Sequence, residues 1–197
     1  GAIGQEKVLR IMVGKEDVSW WEKSVELACE IYPELKEFRI VYETPPDIKV
    51  AFFAAFGVND APDIIAIDSF EVPSWAVAKY LYDITDYVEK WDGWAQYPTP
   101  LQEIVKYAGR VYALLKQTDV RIIFLRKDLF PYPLGAQWQP LSWAELLDMA
   151  RALKAAGVKY PIALQSGRNW NEGTTMQAFL PLLYGAGGVL YDWEKGK

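Results

Sequence analysis

Apolar and polar positions alternate along this chain in short blocks. The run Val8-Leu9-Arg10-Ile11-Met12-Val13, closed by Gly14 and a polar loop Lys15-Glu16-Asp17, has the pattern of a buried strand. Ser19 with Glu22 three residues later predicts a capped helix with an apolar stripe of Trp21, Val25, Ala28, Cys29 and Tyr32, stopped by Pro33. Phe38 to Tyr42 alternates as a second strand, and after Pro45-Pro46 a helix rich in Ala and Phe runs to Gly57. Asp63 to Ile67 is a third strand, followed by a short helix around Pro73 to Lys79. Strands alternating with helices imply a parallel sheet with right-handed crossovers, and so an α/β fold.

Leu81 to Val88 returns over the surface with a turn at Thr85-Asp86, and Trp91 to Pro98 is a loop dense in aromatics. Pro100 suits the first position of a helix that buries Leu101, Ile104 and Val105. Two β-rich runs then flank the polar break Lys116-Gln117-Thr118-Asp119: Val111 to Leu115 and Val120 to Leu125, read as two strands joined without a hairpin turn. Ser142 and Glu145 form a capping-box pattern ahead of the stripe Trp143, Leu146, Leu147, Ala150 and Leu153, with Gly157 as a left-handed stop. Pro161 to Leu164 reads as a short strand, Gln165 to Gly173 as a polar loop, and Thr174 to Tyr184 as a helix.

These blocks carry a family resemblance. Ala61-Pro62-Asp63-Ile64-Ile65, Gly109-x-Val111-Tyr112, Arg126-Lys127-Asp128-Leu129-Phe130, Ser142-Trp143-x-Glu145-Leu146 and Gly187-Gly188 follow one another in an order that resembles extracellular solute-binding protein family 1. These are the maltose-binding-protein-like sugar receptors of ABC importers. Leu115 stands where that family often has proline, and Leu125-Arg126 where it often has Tyr-Asn; neither alters strand or turn character.

The resemblance implies a periplasmic-binding-protein-like type II fold, two α/β lobes with mostly parallel sheets, of which this chain supplies the front half. Residues 1–118 would be the front part of lobe I and 119–197 that of lobe II, hinged at the Gln117 to Val120 crossover. The family's chains are about twice as long, with a returning strand between the Asp63 and Val111 strands, so a C-terminal half is expected as further chain or as a second polypeptide. It also implies a periplasmic or extracellular location, membrane-associated through a lipid anchor or the transporter.

Composition narrows the chemistry. Of 197 residues 51% are hydrophobic and 24% charged, ordinary for a folded protein, and the net charge of −5 lacks the basic stripe that gripping nucleic acid requires. Histidine is absent, which removes the usual general base. The single cysteine, Cys29, lies on a helical stripe and is expected to be a buried apolar residue. No run reaches the roughly 20 apolar residues of a membrane span. The glycines form neither a phosphate-binding loop nor a dinucleotide fingerprint. Asp60, Asp63 and Asp68 match no calcium loop, so no metal and no cofactor is expected.

In open parallel sheets ligands bind beyond the carboxyl ends of the strands. That rule selects the loops Gly14 to Asp17, Glu43-Thr44, Asp68 to Glu71, Gln117 to Asp119 and Gln165 to Gly173, and within them the candidates are Lys15, Glu16, Asp17, Glu43, Asp68, Ser69, Gln117, Thr118, Asp119, Trp170 and Asn171. Carboxylates, amides and hydroxyls suit sugar hydroxyls, and with nine tryptophans the chain has rings to stack on sugar faces. Asp17 and Asp68 have a second reading as acids at helix N-termini, and of the adjacent Trp20 and Trp21 only Trp21 is on the buried stripe. Asp119 is neither a cap nor part of a charge run. The family comparison puts sugar contacts in the same loops. The function so implied is a receptor that captures a carbohydrate and delivers it to an ABC transporter permease by lobe closure. The rival is a glycoside hydrolase using paired carboxylates.

Overall fold

The first strand, β1 (Lys7–Met12), runs between β2 (Phe38–Glu43) and β3 (Ile64–Ile65) in a parallel sheet of order β2-β1-β3. The computed structural model describes residues 6–118, 122–130, 139–164, 167, 173–191 and 195, and the chain divides into two units, Gly1–Thr118 and Asp119–Lys197. Lys7 pairs with Phe38 and Met12 with Glu43 on one side; Ile11 and Met12 pair with Ile64 and Ile65 on the other. The central position explains the near-continuous apolar run of β1: Ile11, Met12 and Val13 are buried. β3 is shorter than Asp63 to Ile67, but the Asp63 amide donates to Arg10 O at 3.1 Å and the Ala66 amide to Met12 O at 3.0 Å, prolonging the contact at both ends.

Each strand of this sheet feeds a helix. A 3-10 turn over Lys15–Asp17 leads into α1 (Val18–Ile31), β2 leads to α2 (Ile48–Gly57), and a 3-10 turn over Ser69–Glu71 leads into α3 (Val72–Val77). The Ser19 cap does not form. The 3-10 turn already holds Asp17 and Val18 in helical backbone, so Ser19 falls inside the first turn and Asp17 takes the N-cap. Trp21, Val25, Ala28 and Cys29 are half-buried, whereas Tyr32 is exposed; Cys29 is thus at the margin of the packing rather than in a core. In α2 the cap is real, the Asp47 carboxylate accepting from the Val50 amide at 3.0 Å. Phe52 of α2 stacks on Trp75 of α3 at 4.8 Å, and both pack on Met12.

Farther on, α4 (Thr85–Val88) and α5 (Thr99–Glu103) precede an antiparallel hairpin of β4 (Lys106–Tyr107) and β5 (Arg110–Val111). This corrects the strand read over Val111 to Leu115, of which only Val111 is paired. The partner is local: Ala108 (φ 48°) and Gly109 (φ 78°) make a two-residue turn with left-handed backbone at both positions, which brings the chain straight back on itself. Val88, Val105 and Val111 form a second core with Trp94 and Leu115 around it. The aromatic loop is scaffold: Gln102 Nε2 donates to Trp94 O and Tyr97 O at 3.1 and 2.9 Å, and the Tyr97 hydroxyl donates to Leu115 O at 3.0 Å.

In the second unit a 3-10 turn over Lys127–Leu129 is followed by α6 (Trp143–Ala155) and α7 (Gly173–Gly185). Ser142 caps α6 as predicted, its hydroxyl accepting from the Glu145 amide at 3.2 Å, while the Glu145 carboxylate reaches back to the Leu141 amide at 2.7 Å. The buried face is Met149, Ala150 and Leu153 with Leu146 beside it; Leu147 is exposed. Gly157 ends the helix at φ 93°. Two predicted strands do not form among the described residues; Val120 and Arg121 of the first lie outside them. Residues 122–125 and 161–164 have no strand pairing, and Phe124 is 86% exposed. β-propensity reflects packing against neighbouring strands, and no described strand of this unit offers a ladder.

Candidate functional site

The three parallel strands point their carboxyl ends the same way, so the turns leading into α1, α2 and α3 share one edge of the sheet. Gly14 ends the first strand, and the Glu16 side chain folds back over it so closely that a Cβ there would lie 2.6 Å from Oε1. Asp17 caps α1 by position only. Its side chain accepts no hydrogen bond from the helix, and Oδ2 instead meets Lys116 Nζ at 2.6 Å, with the two side chains 32% and 20% exposed. The same ammonium lies 5.5 Å from the centre of the Trp20 ring, whose indole is 46% exposed and set edge-on to Trp21. Lys116 therefore ties the loop after β1 to the start of the crossover, although the two are far apart in sequence.

After β3, Asp68 is a working cap. Its carboxylate accepts from the Glu71 amide, and the Glu71 carboxylate accepts in return from the Asp68 amide at 3.4 Å. The other oxygen of Glu71 binds Lys49 Nζ from the start of α2 at 2.6 Å, and that ammonium lies 5.8 Å from the ring centre of Phe70, which is exposed. Ser69 is half-buried within the turn. Glu43, at the end of β2, is bound to Arg10 Nε at 2.5 Å. Arg10 also reaches Asp60 Oδ1 at 2.7 Å, and its amide donates to Asp63 Oδ2 at 2.8 Å. The hydrogen bond to Glu43, above all, raises the Arg10 guanidinium above its ordinary pKa. Glu43, Asp60 and Asp63 thus bind across the sheet through one arginine.

The structure brings Asp17 together with the segment that carries Gln117 and Thr118, both exposed at the end of the first unit. Lys15 and Glu16 are exposed in the turn before α1. Asp119, Trp170 and Asn171 lie outside the described residues. Sequence reasoning included Phe70 and Glu71 in the loop 68–71 without singling them out, and it passed over Lys116 and Lys49. The available signal was position: each sits within a few residues of a strand's carboxyl end or of the crossover.

A second cluster lies in the same unit. Asp83 accepts from Arg110 Nε at 2.6 Å and from the Thr85 hydroxyl and amide at 2.6 and 3.0 Å. Those contacts, the arginine's first, hold its carboxyl down at about 2. The buried Thr85 hydroxyl in turn accepts from the Val111 amide at 2.8 Å, so this cluster fastens α4 to β5.

Residues 37–196 match the bacterial extracellular solute-binding protein family, and the chain belongs to that family. An ABC transporter solute-binding protein from Thermotoga lettingae, solved with α-D-tagatose, is 25% identical with a TM-score of 0.57 over 75% of this chain and 38% of its own. Maltose-bound MalE3 of T. maritima is 22% identical with a TM-score of 0.64 over 96% of this chain and 48% of that one. The GacH receptor of Streptomyces glaucescens is 21% identical with a TM-score of 0.64, over 96% and 47%. The latter two speak for the fold alone, which is that of the type II periplasmic binding proteins. The chain spans less than half the length of each of these structures. Membership implies a periplasmic or extracellular location, and no helix among the described residues is long and apolar enough to cross a membrane.

Proposed function

We propose that this protein is a carbohydrate receptor of an ABC importer. The observation that carries the reading is the exposed Trp20 indole backed by the Lys116–Asp17 pair at the carboxyl edge of the parallel sheet. An exposed aromatic ring can stack on the C–H face of a sugar, and the neighbouring carboxylate, amide and hydroxyl groups of Asp17, Gln117 and Thr118 accept from or donate to its hydroxyls. Tagatose in the Thermotoga lettingae protein supports the ligand class. Gly1–Thr118 would be the front part of lobe I and Asp119–Lys197 that of lobe II. Closure about the Gln117 to Val120 crossover on ligand binding would be the state read by the permease, stabilised by its higher affinity for the sugar. A lipid anchor or the transporter would hold the receptor at the membrane.

Lys15, Glu16, Asp68, Ser69, Asp119, Trp170 and Asn171 complete the proposed binding set, with Glu43 as a member through its place after β2. Asp17, Glu43, Asp68 and Glu71 are each committed to a cation or a backbone amide. Calorimetric titration with tagatose, maltose and mannobiose tests the reading. Binding without turnover is expected, and Asp119→Ala should weaken it by more than about 1.5 kcal/mol, the loss of a hydrogen bond to a charged group. Release of reducing ends would replace the receptor by a hydrolase.

A further inference from the structure

Lys79 breaks a local rule. It follows α3 with φ 60°, the position where a helix usually ends on glycine because a Cβ crowds left-handed backbone. The turn itself is well made: the Lys79 amide donates to Ala76 O and the Tyr80 amide to Trp75 O, both at 3.0 Å. Glycine would serve that turn better, so what a lysine adds there is its side chain. That side chain lines an open groove of about 640 Å³ with Tyr82, Tyr107 and Tyr112. Neither its ammonium nor any of the three phenols bonds to a described residue. The hairpin accounts for two of the tyrosines. Tyr107 is paired with Arg110, and Tyr112 follows Arg110 by two residues, so alternation sets the three on one face while Val111 enters the core on the other. Arg110 in turn holds Asp83, the one acid lining the groove, at 2.6 Å.

With Asp83 so engaged, the groove offers one unpaired ammonium and three phenolic hydroxyls, all able to donate, over an apolar floor of Ala76, Val77 and Leu81. That set complements a carboxylate carried beside a bulky apolar group. Val77 and Tyr82 are 60% and 74% exposed, so the groove is too open to enclose a small molecule and suits a chain lying across it. Exposed tyrosines are frequent anchors of protein interfaces. We infer that this groove docks a peptide segment of a partner protein in which Asp or Glu stands beside a large apolar residue, with Lys79 as the group that reads the acid. The groove lies beyond the C-terminal end of α3, whereas Asp68 and Ser69 precede that helix, so the inference is independent of the carbohydrate reading.

An array of acetylated hexapeptides in which Glu, Gln or Lys is permuted beside Leu, Ile, Phe or Ala, probed with the intact protein, tests it. Retained peptides should carry Glu beside Leu, Ile or Phe. In solution the tightest of them should bind at least about fivefold more strongly than its Gln counterpart, the loss of one charge-assisted hydrogen bond. Lys79→Gly should abolish that preference while Tm stays equal or rises, because the crowded backbone is relieved, and Lys79→Arg should keep it. A lysine with a purely structural role would not give that combination. An array that retains nothing, retention without preference for Glu, a preference that survives Lys79→Gly, or a lowered Tm in that variant overturns the inference. Self-association in sedimentation that Lys79→Gly abolishes would make the occupant a second copy of this chain and overturn it likewise.

Discussion

Replacing Lys116 by Met removes the ammonium and keeps most of the aliphatic stem, so it isolates the charge from the packing. The ammonium makes a 2.6 Å contact with Asp17 and both side chains are less than a third exposed. Exposed ion pairs contribute about 0.2–1 kcal/mol, and a hydrogen bond to a charged group in a sheltered place about 1.5–3. At 20% and 32% exposure the pair belongs between these, at about 1–1.5 kcal/mol, and the contact with the Trp20 ring adds about 0.5. Lys116→Met is therefore expected to destabilise the protein by about 1.5–2 kcal/mol. Urea denaturation with an unchanged m-value measures it. A double-mutant cycle with Asp17→Asn separates the pair from the rest, and a coupling of about 1 kcal/mol is expected. A coupling within about 0.3 kcal/mol of zero would refute the claim that this pair joins the loop after β1 to the crossover.

Asp83 supplies a pH prediction. Its carboxyl is held down from 3.8 to about 2 in the folded state, so its stabilisation is present above the unfolded value and is lost as pH falls through that window; Asp83→Asn should flatten the acid limb of the stability curve there, and an unchanged limb would contradict the assignment. Phe52→Ala, which empties a buried site stacked on Trp75 at 4.8 Å, should cost about 3–5 kcal/mol by denaturation, and less than about 1 would mean that α2 is not packed on the sheet as described. Ser142→Ala removes the cap of α6 and should cost about 1 kcal/mol, whereas Ser19→Ala, which removes no cap, should be near neutral by the same measurement.

Those two serines show what the sequence could and could not reveal. Both stand three residues before a glutamate, but only Ser142 has extended backbone and caps a helix. Ser19 is overtaken by the 3-10 turn that starts helical backbone earlier, and local pattern does not record that. The parallel sheet was legible because buried strands of mixed apolar residues closed by Gly14 or preceded by Pro62 need no distant partner to be recognised. Ile122, Ile123 and Phe124 have the same composition without the pairing, since a strand exists only where another backbone meets it. The hairpin at Ala108-Gly109 escaped because its strands are two residues each. The rule of the strand's carboxyl end pointed to the turns that hold Asp17 and Asp68. The reading of both as acids at helix starts fits Asp68, which caps a turn, but nothing local marked Asp17 as the partner of a lysine, because Lys116 is brought to it only by the fold.

The most direct test of the central claim is a calorimetric titration of the intact protein and its Trp20→Ala variant with tagatose, maltose and mannobiose, with glutamine as a non-sugar control. The carbohydrate-receptor reading predicts saturable binding of at least one sugar, none of glutamine, and a loss of at least about threefold in the variant, the lower range for one stacked aromatic ring. A folded protein that binds glutamine and no sugar, or a Trp20→Ala variant that binds its sugar with undiminished affinity, would contradict it.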